Sequence, residues 1–196
     1  MSKHTRFSSL LGLALCVLSA CTNQAPSTVQ TTRHPSPTTA PAQPITLLKP
    51  EVTVPRTCPV TPVFTGPSGG SPNLDFLPWM KAEPTSSGIM AYLFFVLPGF
   101  ATTHTYGPLH TGGSYPDGRT TKILWSINNP NRSTALEITG KKLSASHETF
   151  QQMFPMAAFP GGDYPSIVNV PTPGCWQVQL TSGTVAATVT FWVVGN

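Results

Sequence analysis

The sequence predicts an all-β protein, with short antiparallel strands packed in two layers, from three observations. Charged residues make up only 9% of the chain, against about a quarter in ordinary globular proteins. The chain contains 22 prolines and 16 glycines, which favour turns and disfavour long solvated helices. Its last segment alternates apolar and polar residues over two runs that are separated by a turn. Together these features predict a β-sandwich.

The clearest of these signals is a C-terminal hairpin that turns at Ser182-Gly183. Its two strands place apolar residues on one face with a period of two, which predicts an antiparallel hairpin with that face on a core. The apolar positions are Trp176, Val178 and Leu180, followed by Val185, Ala187, Val189, Phe191 and Val193. Trp192 is out of phase with them, so we expect it either beneath the N-terminal segment or in an exposed patch.

The central part of the chain predicts three further strands and one helix. The strand over 122–128 presents three apolar residues on one face, and strands over 135–139 and 166–170 follow it. The apolar residues of the first of these are Ile123, Trp125 and Ile127. Ser146 predicts the N-cap of a short helix over 147–154.

The N-terminal half of the domain contributes less regular pieces. Residues 45–48 predict a short strand, after which four prolines impose an extended, irregular path. Residues 67–72 form a loop, and residues 74–80 return apolar side chains to the core. The uninterrupted apolar run 89–97 predicts a strand that is buried on both faces, or covered on one face by the N-terminal segment.

The beginning of the chain carries a targeting signal. Two basic residues, Lys3 and Arg6, precede an apolar run that is too short to span a bilayer. The run leads into Leu18-Ser19-Ala20-Cys21, which resembles the lipobox of bacterial lipoproteins. The resemblance implies that Cys21 receives a diacylglycerol after cleavage of a signal peptide at residues 1–20. The alternative is an ordinary signal peptide with a chance cysteine.

This resemblance implies an extracytoplasmic protein that is lipid-anchored to a bacterial membrane. Residues 21–44 are rich in Thr, Pro, Ser and Ala, cannot bury enough surface to offset chain entropy, and predict a disordered tether. The folded domain then spans 45–196. Without the leader, nine basic residues face seven acidic ones and no basic run remains, so nucleic-acid binding has little support.

Two cysteines remain once Cys16 and Cys21 are assigned to the leader and the lipid. Cys58 and Cys175 are expected to form a disulfide, because paired thiols are usual in exported proteins. Two free, buried thiols are the alternative. A zinc site has less support because the sequence contains no close Cys-x-x-Cys pair.

A tryptophan in a strand, Trp125, followed by the late Gly-Cys-Trp-x-Val-x-Leu hairpin resembles the C-to-G part of an immunoglobulin-like domain. The resemblance implies an immunoglobulin-like antiparallel β-sandwich. It departs at Cys175, whose parity is opposite to that of Trp176, so a bridge from it should lie outside the core layer. The segments 122–125 and 164–176 also resemble bacterial cell-envelope lipoproteins for which no activity is established.

The sequence contains no catalytic signature that we recognise, and two segments remain as candidate sites. The first is a long loop that could serve recognition, hold a metal for a hydrolase, or simply be solvated. Its polar and aromatic residues are His104, Tyr106, His110, Tyr115, Asp117 and Arg119. The second could bind a partner or plug one end of the sandwich. Its residues are Phe150, Met153, Phe154, Met156 and Phe159.

These observations predict a lipid-anchored, non-catalytic binding domain without a cofactor, whose partner is an envelope protein or polymer. A structural accessory subunit of an envelope complex is the alternative. A metal-dependent hydrolase built on the loop over 100–120 has less support.

Overall fold

The computed structural model describes residues 43–95, 100–128, 134–144, 147–155 and 162–196. The predicted signal peptide, Cys21, nearly all of the predicted tether, the cap at Ser146, Met156 and Phe159 lie outside these residues. The described part of the chain is an all-β sandwich, which confirms the predicted fold class.

Twelve strands and one short α-helix make up the regular structure of the described residues. The first six strands are β1 Thr46–Pro50, β2 Val63–Thr65, β3 Trp79–Lys81, β4 Ile89–Leu93, β5 Thr105–Tyr106 and β6 Leu109–His110. The other six are β7 Lys122–Ile127, β8 Leu136–Lys142, β9 Thr149–Phe154, β10 Asp163–Ile167, β11 Gly174–Ser182 and β12 Val185–Val194. The helix α1 spans Phe100–Thr103, and two 3₁₀ turns span Pro72–Leu74 and Thr85–Ser87.

The strands form two sheets. The large sheet has the order β10-β7-β4-β3-β2-β1-β5, and the small sheet has the order β6-β12-β11-β8-β9. Neighbouring strands are antiparallel except for two short parallel pairs, β1 with β5 and β12 with β6. The sheets are therefore mixed, although each parallel pair involves only two residues of each strand.

The second half of the chain follows the immunoglobulin order. Strands β4, β7 and β10 lie side by side in one sheet, as A, B and E do, while β8, β11 and β12 form the other, as C, F and G do. Strand β9 extends the small sheet in the place of C′. Trp125 therefore lies on the strand equivalent to B, and its expected place on strand C is wrong, because β7 pairs with β4 and β10.

Two tryptophans lie at the centre of the core between the sheets. Trp125 and Trp176 are both 0% exposed. The indole N–H of Trp125 donates to Ser166 Oγ at 2.8 Å, and that of Trp176 donates to the Thr172 carbonyl at 2.9 Å. Their neighbours on alternate positions of β7 and β11 are buried as well. The alternation therefore identified the core face of these strands correctly.

A disulfide joins Cys58 to Cys175, as predicted, with a Cα–Cα distance of 5.6 Å. Cys175 pairs with Trp192 on the face of the small sheet that points away from the core. Trp192 is half-buried there, beside Val52, Val54 and Val60 of the segment between β1 and β2. The bridge thus fastens the N-terminal segment to the outside of the small sheet, and Trp192 lies beneath that segment.

The predicted helix over 147–154 is wrong. Residues 149–154 form β9, which pairs with β8 along its whole length. Phe150, Gln152 and Phe154 are half-buried and alternate with exposed residues. The spacing of Phe150 and Phe154 fits a strand as well as a helix. The segment forms a strand because it pairs with the edge of β8. The predicted loop over 100–120 is also more regular than expected, since it contains α1, β5 and β6.

Every residue of β4 is buried, so the predicted two-sided burial of this strand is confirmed. One face packs in the core between the sheets, while Met90 and Tyr92 point to the opposite side. There they meet Leu74 and Leu77 of the segment between β2 and β3. That segment therefore covers part of the outer face of the large sheet.

Candidate functional site

The predicted binding loop is divided between the two sheets. His104 is exposed with φ +54°, and its carbonyl accepts a hydrogen bond from the Lys49 N–H at 2.9 Å. Tyr106 lies on β5 of the large sheet and packs against the core. His110 lies on β6, which belongs to the small sheet. The six residues therefore do not form a single site.

Four of the six residues do come together, in a column centred on Tyr115. The His110 ring lies 4.3 Å from the Tyr115 ring, and the Arg119 guanidinium lies 4.6 Å from the centre of that ring. Arg119 Nε donates to Asp117 Oδ2 at 2.7 Å. His110 Nδ1 lies 3.0 Å from Asn196 Oδ1, and the Tyr115 hydroxyl donates to the Pro108 carbonyl at 3.2 Å. These polar atoms thus face one another, the Asn196 side chain or the backbone.

The pKa values of the two tyrosines and of Asp117 follow from their surroundings. Burial raises the pKa of Tyr115 to about 12, with smaller contributions from Glu51 and Asp117 in the same direction and an opposing one from Arg119. Hydrogen bonds from Arg119 lower the pKa of Asp117. Burial also raises the pKa of Tyr106. The phenols therefore remain protonated and the carboxylate remains paired, which suits a structural role.

Within the described residues, no group of three or more His, Cys, Asp or Glu side chains is placed to hold a metal ion. In the same part of the chain, no helix has the length and hydropathy needed to cross a membrane.

The predicted aromatic and methionine segment presents two different sides. Phe150 packs 5.4 Å from the Trp176 ring and lies directly over Gly140, where a Cβ would overlap its ring. Phe154 also packs against the core. Met153 points outward and is 66% exposed. Phe150 and Phe154 therefore close the sandwich, while Met153 is available at its edge.

The outer face of the large sheet is a feature that the sequence analysis missed. Residues from six strands form one apolar row across it, at right angles to the strands. The row consists of Leu47, Phe64, Trp79, Tyr92, Leu124 and Pro165. Leu47 at one end is 58% exposed, and Pro165 at the other end is exposed too. A period of two within each strand hints at such a row, but its assembly depends on the registers.

Lysines accompany the aromatic residues of this face. Lys122 Nζ lies 5.2 Å from the centre of the Phe94 ring, with Ile167 as the cross-strand neighbour of Lys122. Lys81 Nζ lies 5.8 Å from the centre of the Trp79 ring. Phe94 and Ile167 are both partly exposed. The face therefore combines accessible apolar surface with cations whose stems lie along it.

A groove of about 470 Å³ opens beside Lys81 on the same face. Its polar lining consists of Ser68, Lys81, Thr85, Ser126 and Asn128, with the backbone of three glycines between them. Ser68 is fixed by hydrogen bonds, since its Oγ donates to Asp75 Oδ1 at 2.9 Å and lies 3.0 Å from the Tyr92 hydroxyl. The groove is thus a preformed polar cleft with one cationic side chain.

No protein-family model matches this chain, and neither a curated protein nor a solved structure shows significant similarity to it.

Proposed function

We propose that this chain is a lipid-anchored extracytoplasmic protein whose sandwich binds an acidic polysaccharide of the cell envelope without catalysing a reaction. The observation that carries the proposal is the groove beside Lys81 on the outer face of the large sheet. Its hydroxyl, amide and backbone groups offer both donors and acceptors, which is what a polyhydroxylated ligand requires.

The charge of this face favours an anionic ligand. Three lysines point outward from its strands, at positions 49, 81 and 122, against two acidic residues, Asp163 on β10 and Asp75 in the segment that covers part of the face. Such an excess attracts a polyanion at long range and is screened by salt. Lys81 lines the groove itself, and Lys122 stands beside the exposed apolar pair Phe94 and Ile167.

The place of action follows from the start of the sequence. The lipobox-like Leu18-Ser19-Ala20-Cys21 and the Pro/Thr-rich segment after it support a domain held at a short distance from a membrane. An envelope polymer would be within reach of a domain held in this way. The column around Tyr115 is assigned a structural role in this proposal, because its polar groups are engaged with one another or with the backbone.

The proposal is tested with the full-length chain in detergent, using alginate as the polyuronate and neutral dextran as the reference polymer. We expect retardation by alginate in affinity electrophoresis, weakened about tenfold by Lys81→Gln, which corresponds to about 1.4 kcal/mol. Arg56→Gln is the matched control, because Arg56 is an exposed cation in the segment between β1 and β2, away from both the groove and β9. Equal retardation of both variants, or no preference for alginate over dextran, contradicts the proposed ligand.

The anchor is tested separately. Cys21→Ala should leave an uncut or released protein, detected by detergent partition and mass spectrometry. Normal processing and membrane retention of this variant contradicts the lipid anchor without touching the glycan proposal.

A structural accessory role is the second candidate. The observation that favours it is β9, whose outer side pairs with none of the described strands. A strand edge of this kind can join protein subunits.

A further inference from the structure

Among the described strands, the two sheets end in four edge strands, and three of them are closed to further pairing. Strands β5 and β6 contain only two residues each. Strand β10 carries Pro165 in its middle, and proline has no N–H to offer. Strand β9 has six residues, Thr149–Phe154, without a proline or a charge. It lacks the usual devices that prevent edge-to-edge association.

The register shows which backbone groups of β9 face outward. The Lys142 N–H donates to the Glu148 carbonyl at 3.0 Å, which makes these two residues a hydrogen-bonded pair of the β8–β9 ladder. Since such pairs recur at every second residue, Phe150, Gln152 and Phe154 bond to β8. The N–H and C=O groups of the three exposed residues, Thr149, Gln151 and Met153, therefore point away from the sheet.

We propose that β9 pairs with β9 of a second copy of this chain, antiparallel about a two-fold axis at Gln151. The three outward-facing residues are spaced evenly around Gln151, so this register joins Gln151 to its own copy and Thr149 to Met153 twice. Every outward donor and acceptor of the strand then finds a partner. Met153, which is 66% exposed, becomes covered by Thr149 of the other copy.

The charges on β8 are compatible with a second copy in this register. Lys141 is the β8 neighbour of Thr149, and Glu137 is the β8 neighbour of Met153, all on the face that points away from the core. Joining Thr149 to Met153 places Lys141 of one copy and Glu137 of the other in the same cross-strand row, twice per dimer. These opposite charges are three strand spacings, or about 14 Å, apart, so their attraction is weak and screened by salt. The strand β9 itself adds no like charges to oppose the pairing.

Cysteine cross-linking of the full-length chain in detergent tests the pairing. In a hydrogen-bonded antiparallel pair the two Cα atoms lie about 5.5 Å apart, which is within disulfide range. Gln151→Cys should therefore give covalent dimers on mild oxidation. Gln179→Cys is the matched control, because Gln179 lies exposed in the same row of the sheet, two strands further in. Its two copies would be more than about 20 Å apart.

Two further variants test the register. A mixture of Thr149→Cys and Met153→Cys chains should form mixed dimers at least about tenfold more abundantly than either variant alone, since only the mixed pair is within disulfide reach. Adding Met153→Pro to Gln151→Cys should reduce cross-linking without unfolding the chain, because that N–H serves only the partner. Failure of Gln151→Cys to cross-link, or equal cross-linking of Gln179→Cys, overturns the proposal. No variant touches the groove beside Lys81.

Discussion

Strands β9 and β10 are edge strands on the same side of the sandwich, one in each sheet, and they end their sheets differently. In β10, the Gly162 carbonyl accepts a hydrogen bond from the Ile127 N–H, so Asp163, Pro165 and Ile167 face outward. The open side of β10 therefore carries the charge of Asp163, the ring of Pro165, and the Ile167 carbonyl, which accepts a hydrogen bond from the Gln152 side chain. The three outward-facing residues of β9 include neither a charged residue nor a proline.

The difference shows that edge protection is a property of single positions rather than of a strand as a whole. Pro165 removes no hydrogen bond between β10 and β7, because the N–H that proline lacks would point to solvent. The same substitution is available at every second position of β9 and is absent there. The edge of the large sheet at β10 is therefore closed, while the edge of the small sheet at β9 keeps backbone groups that another strand can pair with.

The two edge strands contact different tryptophans of the core, and replacing these tryptophans should have the largest effect on the free energy of unfolding. Strand β9 places Phe150 on Trp176, whereas β10 supplies Ser166 as the acceptor for the Trp125 indole. Trp125→Ala and Trp176→Ala should each lower the free energy of unfolding by about 3–5 kcal/mol, out of about 5–15 kcal/mol in total. Urea unfolding measures both losses. A loss below about 1 kcal/mol for either tryptophan would mean that its layer is not essential to the core.

A proline scan of β9 sharpens the comparison at intermediate cost. Gln152→Pro should lower the free energy of unfolding by about 1–3 kcal/mol, because it leaves the Ile138 carbonyl of β8 unpaired and also removes the side-chain hydrogen bonds to Ile167 and Asn169. Gln151→Pro should cost less than about 1 kcal/mol, because its N–H points away from β8 as that of residue 165 would in β10. Urea midpoints of the two variants decide the matter. Equal costs would contradict the assigned direction of the backbone groups.

The strands that the sequence predicted correctly are those in which the spacing of apolar residues alone shows which face is buried. Trp125 and Trp176 share one face of their strands with apolar residues at every second position, so their strands and the core face could be predicted directly. For 147–154, the aromatic residues fit both a helical and a strand period, and only the partner strand β8 settles the structure. The parity of Cys175 correctly placed the disulfide outside the core, because parity needs no partner.

The outer face of the large sheet could not be predicted in the same way. Its apolar row joins six strands whose registers depend on the intervening turns, and no single strand carries enough of the row to reveal it. The loop over 100–120 failed as a single site for a related reason. Its residues are consecutive in sequence, but β5 and β6 within it join different sheets.

The smallest expected effect concerns an ion pair at the beginning of β9. Glu148 accepts hydrogen bonds from the Thr172 hydroxyl and from Lys142 Nζ, the latter at 3.1 Å to both carboxylate oxygens. These hydrogen bonds, that from Thr172 first, lower the pKa of Glu148. Because the folded pKa lies below the unfolded value of about 4.3, the stabilisation is complete above that pH and is lost as the pH falls through the folded pKa. The effect is small because the carboxylate is solvent-accessible and screened.

Glu148→Gln keeps an acceptor for Thr172 but carries no charge, so its unfolding free energy should fall less between pH 6 and pH 3 than that of the parent chain. Identical pH profiles in urea unfolding would show that this carboxylate does not secure the start of β9.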